Sequence, residues 1–445
     1  MKRQLLGAVC LMSLVFALSQ AESWKAQYIV VLKGGGSIAA INKLHGTSTL
    51  HHINGTSIYL VQANTAYDNA DILSEIENDA AVASVEPNVH VKLHSAAQAP
   101  LDPSLAEHMA ALLDGTTLAT FYGTTVLQSY VDQPALDITH VSDVRKLSTG
   151  AGTHIAYIDT GVDFYHPALQ PWLDPGVNVL DNDGSASEFD GLSPMGASLL
   201  DSQGCSLLDN RFMFVLDSSM ASLLDGGGVY GTTFPADLGH GTLVAGILHL
   251  VAPEARIVPI KAFTAYGNTT IYAITNAVYQ AAQLQVDVLN MSFSTTQDSP
   301  ALRKAINDAH AAGVAIVASV GNDATGAGSY YPASYSNVIG VAATDFNNQL
   351  AVFSNYGSAV SVDAPGAFVV STVPGGKYAA AWGTSFSAPM VSGELALLAS
   401  SRGQGQSDAA LVINTADSID SLNPGFTGML GKGLINALRA LKFAR

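Results

Sequence analysis

From about residue 130 the chain alternates continuous apolar runs with longer segments of helical period, and this alternation constrains the fold more than any other feature of the sequence. Thr153–Ile158, Leu243–Leu250, Ile257–Ile260 and Ile271–Leu284 begin the series, and Val286–Leu289 and Val314–Val320 extend it with further strands. Ile271, Ile274, Val278 and Ala281 recur at helical spacing, so they share one helix face. The strands lack the apolar–polar alternation of a half-solvated sheet, which is the pattern of strands buried on both faces. A parallel sheet sandwiched by helices follows, an α/β chain with a three-layer α/β/α arrangement.

At 445 residues, 48% of them apolar, the chain has material for about two to three folding units. It begins Met1-Lys2-Arg3-Gln4, continues through an apolar run from Leu5 to Leu18, and reaches Ser19-Gln20-Ala21, the order of a secretory signal over residues 1–21. That run is 14 residues, short of the ~20 a spanning helix needs, and no later segment reaches that length uncharged. Secretion, extracellular or periplasmic, without stable membrane insertion is the expectation. Cys10 lies inside the signal, leaving Cys205 alone in the mature chain; one thiol makes no intrachain disulfide and no four-thiolate zinc site. The formal charge is −17, and −19 once Lys2 and Arg3 are removed, which argues against nucleic acid or an anionic membrane as partner.

Residues 22–95 read as strand, helix, strand, helix, strand, a small α+β domain: Tyr28–Lys33, Ser37–His45, Ser57–Ala63, Asp71–Asp79 and Val82–Val91. Residues 96–128 are mixed in composition and read as a linker, and 129–445 as the α/β domain. Within that domain the stretch at about 170–235 lacks the alternation and reads as an insertion, carrying Ser-Leu-Leu-Asp at 198–201, 206–209 and 222–225. Three irregular copies do not make a solenoid. Nearby Asp181-Asn-Asp-Gly184 is an acidic turn, which more commonly is a solvated loop than a calcium loop.

Three segments carry chemistry. Tyr157-Ile-Asp-Thr-Gly-Val162 puts Asp159 at the carboxyl end of a buried strand, where open parallel sheets gather functional residues. An aspartate capping the next turn would look the same locally. An aspartic protease also uses Asp-Thr-Gly but needs two carboxylates, and no second Asp-Thr-Gly or Asp-Ser-Gly occurs. Gly239-His-Gly-Thr-Leu-Val-Ala-Gly246 starts a helix at His240 between glycines that permit close backbone approach. Gly383-Thr-Ser-Phe-Ser-Ala-Pro-Met390 sets Ser385 at the start of an apolar helix running to Leu398, where unpaired donors and the helix dipole favour negative charge. An N-cap needs one hydroxyl, whereas Thr384, Ser385 and Ser387 offer three.

The order aspartate, histidine, serine is the subtilisin order, and from about Gln128 to about Ala437 the sequence resembles the subtilisin-like serine proteases, peptidase family S8. The small N-terminal domain is similar to the inhibitor I9-type pro-segment of that family, on Tyr28-Ile-Val-Val-Leu-Lys33 and Glu75-Ile-Glu-Asn-Asp-Ala-Ala-Val-Ala-Ser-Val-Glu86. The resemblance implies a secreted serine endopeptidase with Asp159, His240 and Ser385 as its triad and Asn322, in Ala318-Ser-Val-Gly-Asn322, as oxyanion donor. It further implies a substrate-binding strand at Ser292-Phe293-Ser294, with Gly321 and Tyr330 beside it; the family frequently has Ser-Leu-Gly there, so bulk and a hydroxyl are added. Tyr330 falls near the primary specificity pocket and predicts a shallow one.

Protein or peptide substrates are implied, with the chain's own pro-domain as intramolecular inhibitor of a monomer, removed by a cut between Leu93 and roughly Leu127. No metal or organic cofactor is required by the chemistry. The family often carries a calcium-binding aspartate after His-Pro, but here Ala168 follows His166-Pro167, so that site is in doubt while room for another structural calcium is left. A non-catalytic binding protein on the same scaffold would lack part of the triad, and a lipase or esterase would show Gly-x-Ser-x-Gly; neither pattern is met.

Overall fold

A computed structural model describes residues 25–64, 69–93, 117–181, 184–190, 237–402 and 408–444. The signal segment, most of the stretch read as linker, most of the 170–235 insertion with Cys205 and the three repeats, and two of the four residues 181–184 lie outside them. The chain divides into two compact units, 1–89 and 90–445.

The small unit is a four-stranded antiparallel sheet in the order β2-β3-β1-β4 with two helices: β1 Gln27–Leu32, α1 Ile38–His45, β2 Thr47–His52, β3 Ile58–Ala63, α2 Asn69–Glu77 and β4 Val82–Pro87. Ser37 caps α1 by accepting from the Ala40 N–H, and Gly46 ends it in the left-handed region. The sequence reading missed β2. Its first residue is buried and the other five are exposed, so this edge strand has no buried face to print a period on the sequence. The predicted strand Val82–Val91 is also divided: β4 stops at Pro87, and β5, His90–Lys92, belongs to the larger unit, where it pairs antiparallel with β11, Asn268–Thr270.

The larger unit is built on a seven-stranded sheet in the order β15-β14-β13-β12-β8-β10-β9, every pairing parallel. Its strands are β8 His154–Asp159, β9 Val177–Asn178, β10 Arg256–Lys261, β12 Val288–Met291, β13 Ala315–Ser319, β14 Ile339–Thr344 and β15 Val362–Pro365. Ile155 and Tyr157 join a core with Leu243, Ile247, Leu395 and Leu398, while Ala156 and Ile158, equally buried, alternate to the other face. Both faces being covered is why these strands read as unbroken apolar runs.

Two helix pairs flank the sheet. After three short helices, α3 Gln128–Val131, α4 Pro134–Ile138 and α5 Val141–Val144, α6 spans His240–Val251, α7 Ile271–Gln283, α8 Pro300–Ala311 and α9 Thr384–Arg402. α6 packs on α9 and α7 on α8. α7 and α8 start at side-chain caps, Thr270 to the Ala273 N–H and Ser299 to the Leu302 N–H. The end of the stretch read as linker is ordered: Leu118–Phe121 and Thr124–Leu127 form a hairpin, β6–β7, whose Phe121 and Val126 enter the main core. Tyr122-Gly123 at its turn both have positive φ, the requirement of a tight two-residue turn; composition alone hid this, because the strands are only four residues each.

Candidate active site

The carboxyl ends of the parallel strands and the first turns of α6 and α9 carry the site. Asp159 is the last residue of β8, buried completely, and its Oδ1 lies 2.7 Å from Nδ1 of His240, the first residue of α6. The Thr160 N–H also donates to that oxygen, at 2.8 Å. Glycine permits the approach. A Cβ on Gly241 would stand 2.0 Å from the carbonyl oxygen of Gly161, so the segments after Asp159 and His240 touch backbone to backbone. Burial pulls the His240 imidazole's pKa down, but the Asp159 carboxylate, with Asp237 and Glu188 adding to it, makes the net shift upward from the ordinary histidine value.

Ser385 is the second residue of α9, in the first turn, where peptide N–H groups have no intrahelical acceptor. Pro389 lies inside the same helix. Lacking an N–H, it leaves the carbonyl of Ser385, four residues earlier, without its helical donor, and the Ser292 hydroxyl donates there instead at 2.7 Å. Ser292 belongs to a buried relay in which Ser392 Oγ donates to Asn290 Oδ1 and Asn290 Nδ2 to Ser292 Oγ, each at 2.9 Å. The helix break is thus used to fasten α9 to the end of β12. The Ser385 hydroxyl itself donates to the Ser292 carbonyl at 3.1 Å.

Asn322 is buried, and its Oδ1 accepts from both the peptide N–H and the hydroxyl of Thr384 at 2.8 Å. With the oxygen so committed, the amide is fixed with Nδ2 as a donor beside Gly383, a Cβ on which would be 3.5 Å away. Ser294, Gly321 and Tyr330 lie side by side. A Cβ on Gly321 would meet Ser294 Oγ at 3.0 Å and Tyr330 Cδ1 at 3.2 Å, and Gly321 holds φ +100°. Phe293 does not join them: its ring packs on Phe263 at 5.2 Å between centroids and only 2% is exposed, so its added bulk enters the core.

Sequence reasoning passed over Thr384 as one hydroxyl among three, and gave no role to Thr160, Glu188 or Lys261. Lys261, 2% exposed, donates from Nζ to the Thr160 carbonyl at 2.6 Å. Glu188 is wholly buried and accepts from the N–H groups of Gly239 and Gly241 at 3.0 Å, on either side of His240. Nothing local in the sequence marked Glu188, because its neighbours here are brought from two other segments.

Ala168 is buried, and both oxygens of nearby Asp163 are engaged, Oδ1 by the Tyr165 N–H and Oδ2 by the Gly375 N–H, each at 2.9 Å. Among the described residues no group of three or more His, Cys, Asp or Glu is placed to hold a metal ion.

Comparison with known proteins gives a concordant result. The model of the subtilase family matches residues 150–433. Thermitase of Thermoactinomyces vulgaris is 31% identical over 307 residues, 67% of this chain and 91% of thermitase. A thermophilic serine proteinase of Bacillus sp. (strain AK1) is 32% identical over 324 residues, 72% of this chain and 69% of that protein. Among solved structures, fervidolysin from Fervidobacterium pennivorans superposes with a TM-score of 0.67 at 21% identity, over 94% of this chain and 61% of that one, a likeness of fold.

Proposed function

Because this chain belongs to the subtilase family and is a serine-type endopeptidase, we propose that Asp159, His240 and Ser385 are its catalytic triad, acting on peptide bonds of proteins outside the cytoplasm. The observation that carries the assignment is the buried 2.7 Å contact of Asp159 Oδ1 with His240 Nδ1, at strand and helix ends that also carry Ser385.

Asp159 holds the imidazole with Nδ1 protonated, leaving Nε2 free to take the proton of the Ser385 hydroxyl. Ser385 Oγ then bonds to the substrate carbonyl carbon, and the electron pair of that C=O moves to oxygen. Asn322 Nδ2 and the Ser385 N–H donate to the resulting oxyanion, a pair of donors needing no reorganisation during the step. His240 passes its proton to the leaving amine as the C–N bond breaks, giving an acyl-enzyme. Water, deprotonated by His240, releases the acid and restores Ser385. The chemistry needs no organic cofactor.

Substrate backbone would pair along Ser292–Ser294, with Gly321 and Tyr330 lining the pocket for the residue before the cut. Inhibition by the pro-segment rests on its last residues, which form β5 in the larger unit. His90–Lys92 adds a strand to Asn268–Thr270 by backbone pairing, Val91 and Leu93 are 4% exposed, and the Leu93 N–H donates to the Gly267 carbonyl at 2.9 Å. That is how an extended peptide docks on a strand edge. Gly267 abuts Asp237, whose carbonyl accepts the His240 N–H at 3.2 Å, and maturation would cut between Leu93 and roughly Leu127. Residues 1–21 would direct secretion; among the described residues no helix is long and apolar enough to cross a membrane.

The deciding experiment is casein hydrolysis by the purified, matured protein beside its Ser385→Ala variant, with a fluorophosphonate probe. Activity and labelling present in the first and lost in the second are expected; a Ser385→Ala variant that still hydrolyses casein refutes the assignment.

A further inference from the structure

We propose that Glu188 is a positioning residue for the reaction: its carboxylate clamps the Asp159-Thr160 and Gly239-His240-Gly241 segments together and so holds the Asp159–His240 pair in register. The inference rests on the triad assignment above and extends it to a residue outside the three signature segments.

Glu188 Oε1 accepts from the Thr160 hydroxyl at 2.5 Å and from the N–H groups of Gly239 and Gly241 at 3.0 Å, while Oε2 accepts from the Thr242 hydroxyl. Four donors from two chain segments therefore converge on one buried side chain. Thr160 Oγ1 in turn accepts from the Gly241 N–H at 3.0 Å, so the residue after Asp159 and the residue after His240 are joined both directly and through Glu188. The backbone of Glu188 is itself held: its N–H donates to Val162 O at 3.1 Å, and the Val162 N–H to Ala186 O at 2.9 Å.

A carboxyl group in a dry interior is costly, and the same packing could be reached with apolar side chains. Its retention here has a local reason. The N–H groups beside His240 belong to a helix start and have no intrahelical acceptor, and Gly239 at φ +96° offers no side chain to cap them. Glu188 supplies the missing acceptor from elsewhere in the chain, and in doing so fixes where His240 begins. The charged and titratable groups around it are Asp159 and Tyr157 on β8, Lys261 on β10 and His240 on α6. Burial pushes the Glu188 carboxyl up to about 7, against the Thr160 and Thr242 hydroxyls, which favour the ionised form. When ionised it adds to the negative field that raises His240.

The test is Glu188→Gln in the matured full chain, with kcat and KM on a peptide substrate, the pH profile of kcat, and thermal unfolding. The expected result is a fall in kcat of about ten- to a hundred-fold, the scale of a misplaced reacting group, with KM nearly unchanged. The acid limb of kcat should also move to lower pH to the extent that Glu188, with its carboxyl at about 7, is ionised across it. A variant of lowered melting temperature but wild-type kcat and acid limb overturns the proposal. Should Glu188→Gln not accumulate folded, Thr160→Val removes the hydroxyl bridge alone; kcat must again fall, with rescue by Thr160→Ser, and full activity in Thr160→Val overturns the proposal. Ser385→Ala run in parallel separates the two readings: activity surviving there sinks the triad itself, whereas an inactive Ser385→Ala beside a normal Glu188→Gln sinks only the role of Glu188.

Discussion

The side-chain oxygen of Asn322 accepts both donors of Thr384, its peptide N–H and its hydroxyl, at 2.8 Å each, and this double bond pattern turns the Asn322 amide N–H₂ outward as a donor. In Thr384→Val the hydroxyl is lost and the peptide N–H remains, so the amide keeps one of two tethers. Turnover should drop by less than in Asn322→Leu, for which about 10²- to 10³-fold is expected from loss of one oxyanion donor. Steady-state kinetics on one peptide substrate, with KM nearly constant in both variants, checks the ranking.

Gly241 admits no side chain. Its Cβ would stand 2.0 Å from the Gly161 carbonyl oxygen, a backbone atom that cannot rotate away. Gly241→Ala should therefore cost at least about 3 kcal/mol, the upper part of the range for overpacking, and separate the Asp159 and His240 segments. Chemical denaturation and probe labelling should both report the damage; an Ala variant with wild-type stability would mean the two segments part easily.

As the proposed base, His240 would act only when neutral, and the Asp159, Asp237 and Glu188 carboxylates together hold its imidazole above the ordinary value of 6.5 despite its burial. Activity is accordingly low below that value and rises through a midpoint lying above it. A kcat/KM profile with its acid midpoint below 6.5 would contradict this.

Glu394 on α9 is 1% exposed, with neither carboxyl oxygen hydrogen-bonded, and burial pushes its pKa from 4.5 up to about 8. The folded state thus binds this proton more tightly than the unfolded chain. The stability it confers is complete below pH 4.5 and is lost as pH rises toward about 8. Glu394→Met removes the buried polar group at similar volume and should raise the melting temperature, more at pH 8 than at pH 5, as thermal unfolding at the two values would reveal. Equal gains at both would mean the carboxyl does not titrate in this range.

Tyr330 leans on Gly321, its Cδ1 3.2 Å from where a Cβ would be, and narrows the proposed specificity pocket. A peptide library should show cleavage after small residues favoured over Phe or Leu, and Tyr330→Ala should shift the preference toward the larger ones. Strong cleavage after aromatic residues by the unaltered protein would remove Tyr330 from this role.

The parallel α/β/α architecture was legible in the sequence because strands buried on both faces and helices of regular period leave direct traces, and the segments holding Asp159, His240 and Ser385 stood out through glycines and hydroxyls that are local requirements. The sequence could not determine what depends on approach between distant segments. The edge strand β2 and the hairpin β6–β7 carry too little buried surface to show a period. Ser292-Phe293-Ser294 read as part of a strand, but β12 ends at Met291 and Phe293 lies just past it with its ring turned into the core. Glu188 and Lys261 look like ordinary charged residues until the fold brings Thr160, Gly239 and Gly241 to the first and the Thr160 carbonyl to the second. Only tertiary structure decides such cases, since a hydrogen-bond acceptor carries no mark in sequence of the donors that will reach it, and those donors here lie in segments fixed by the packing of the sheet against α6 and α9.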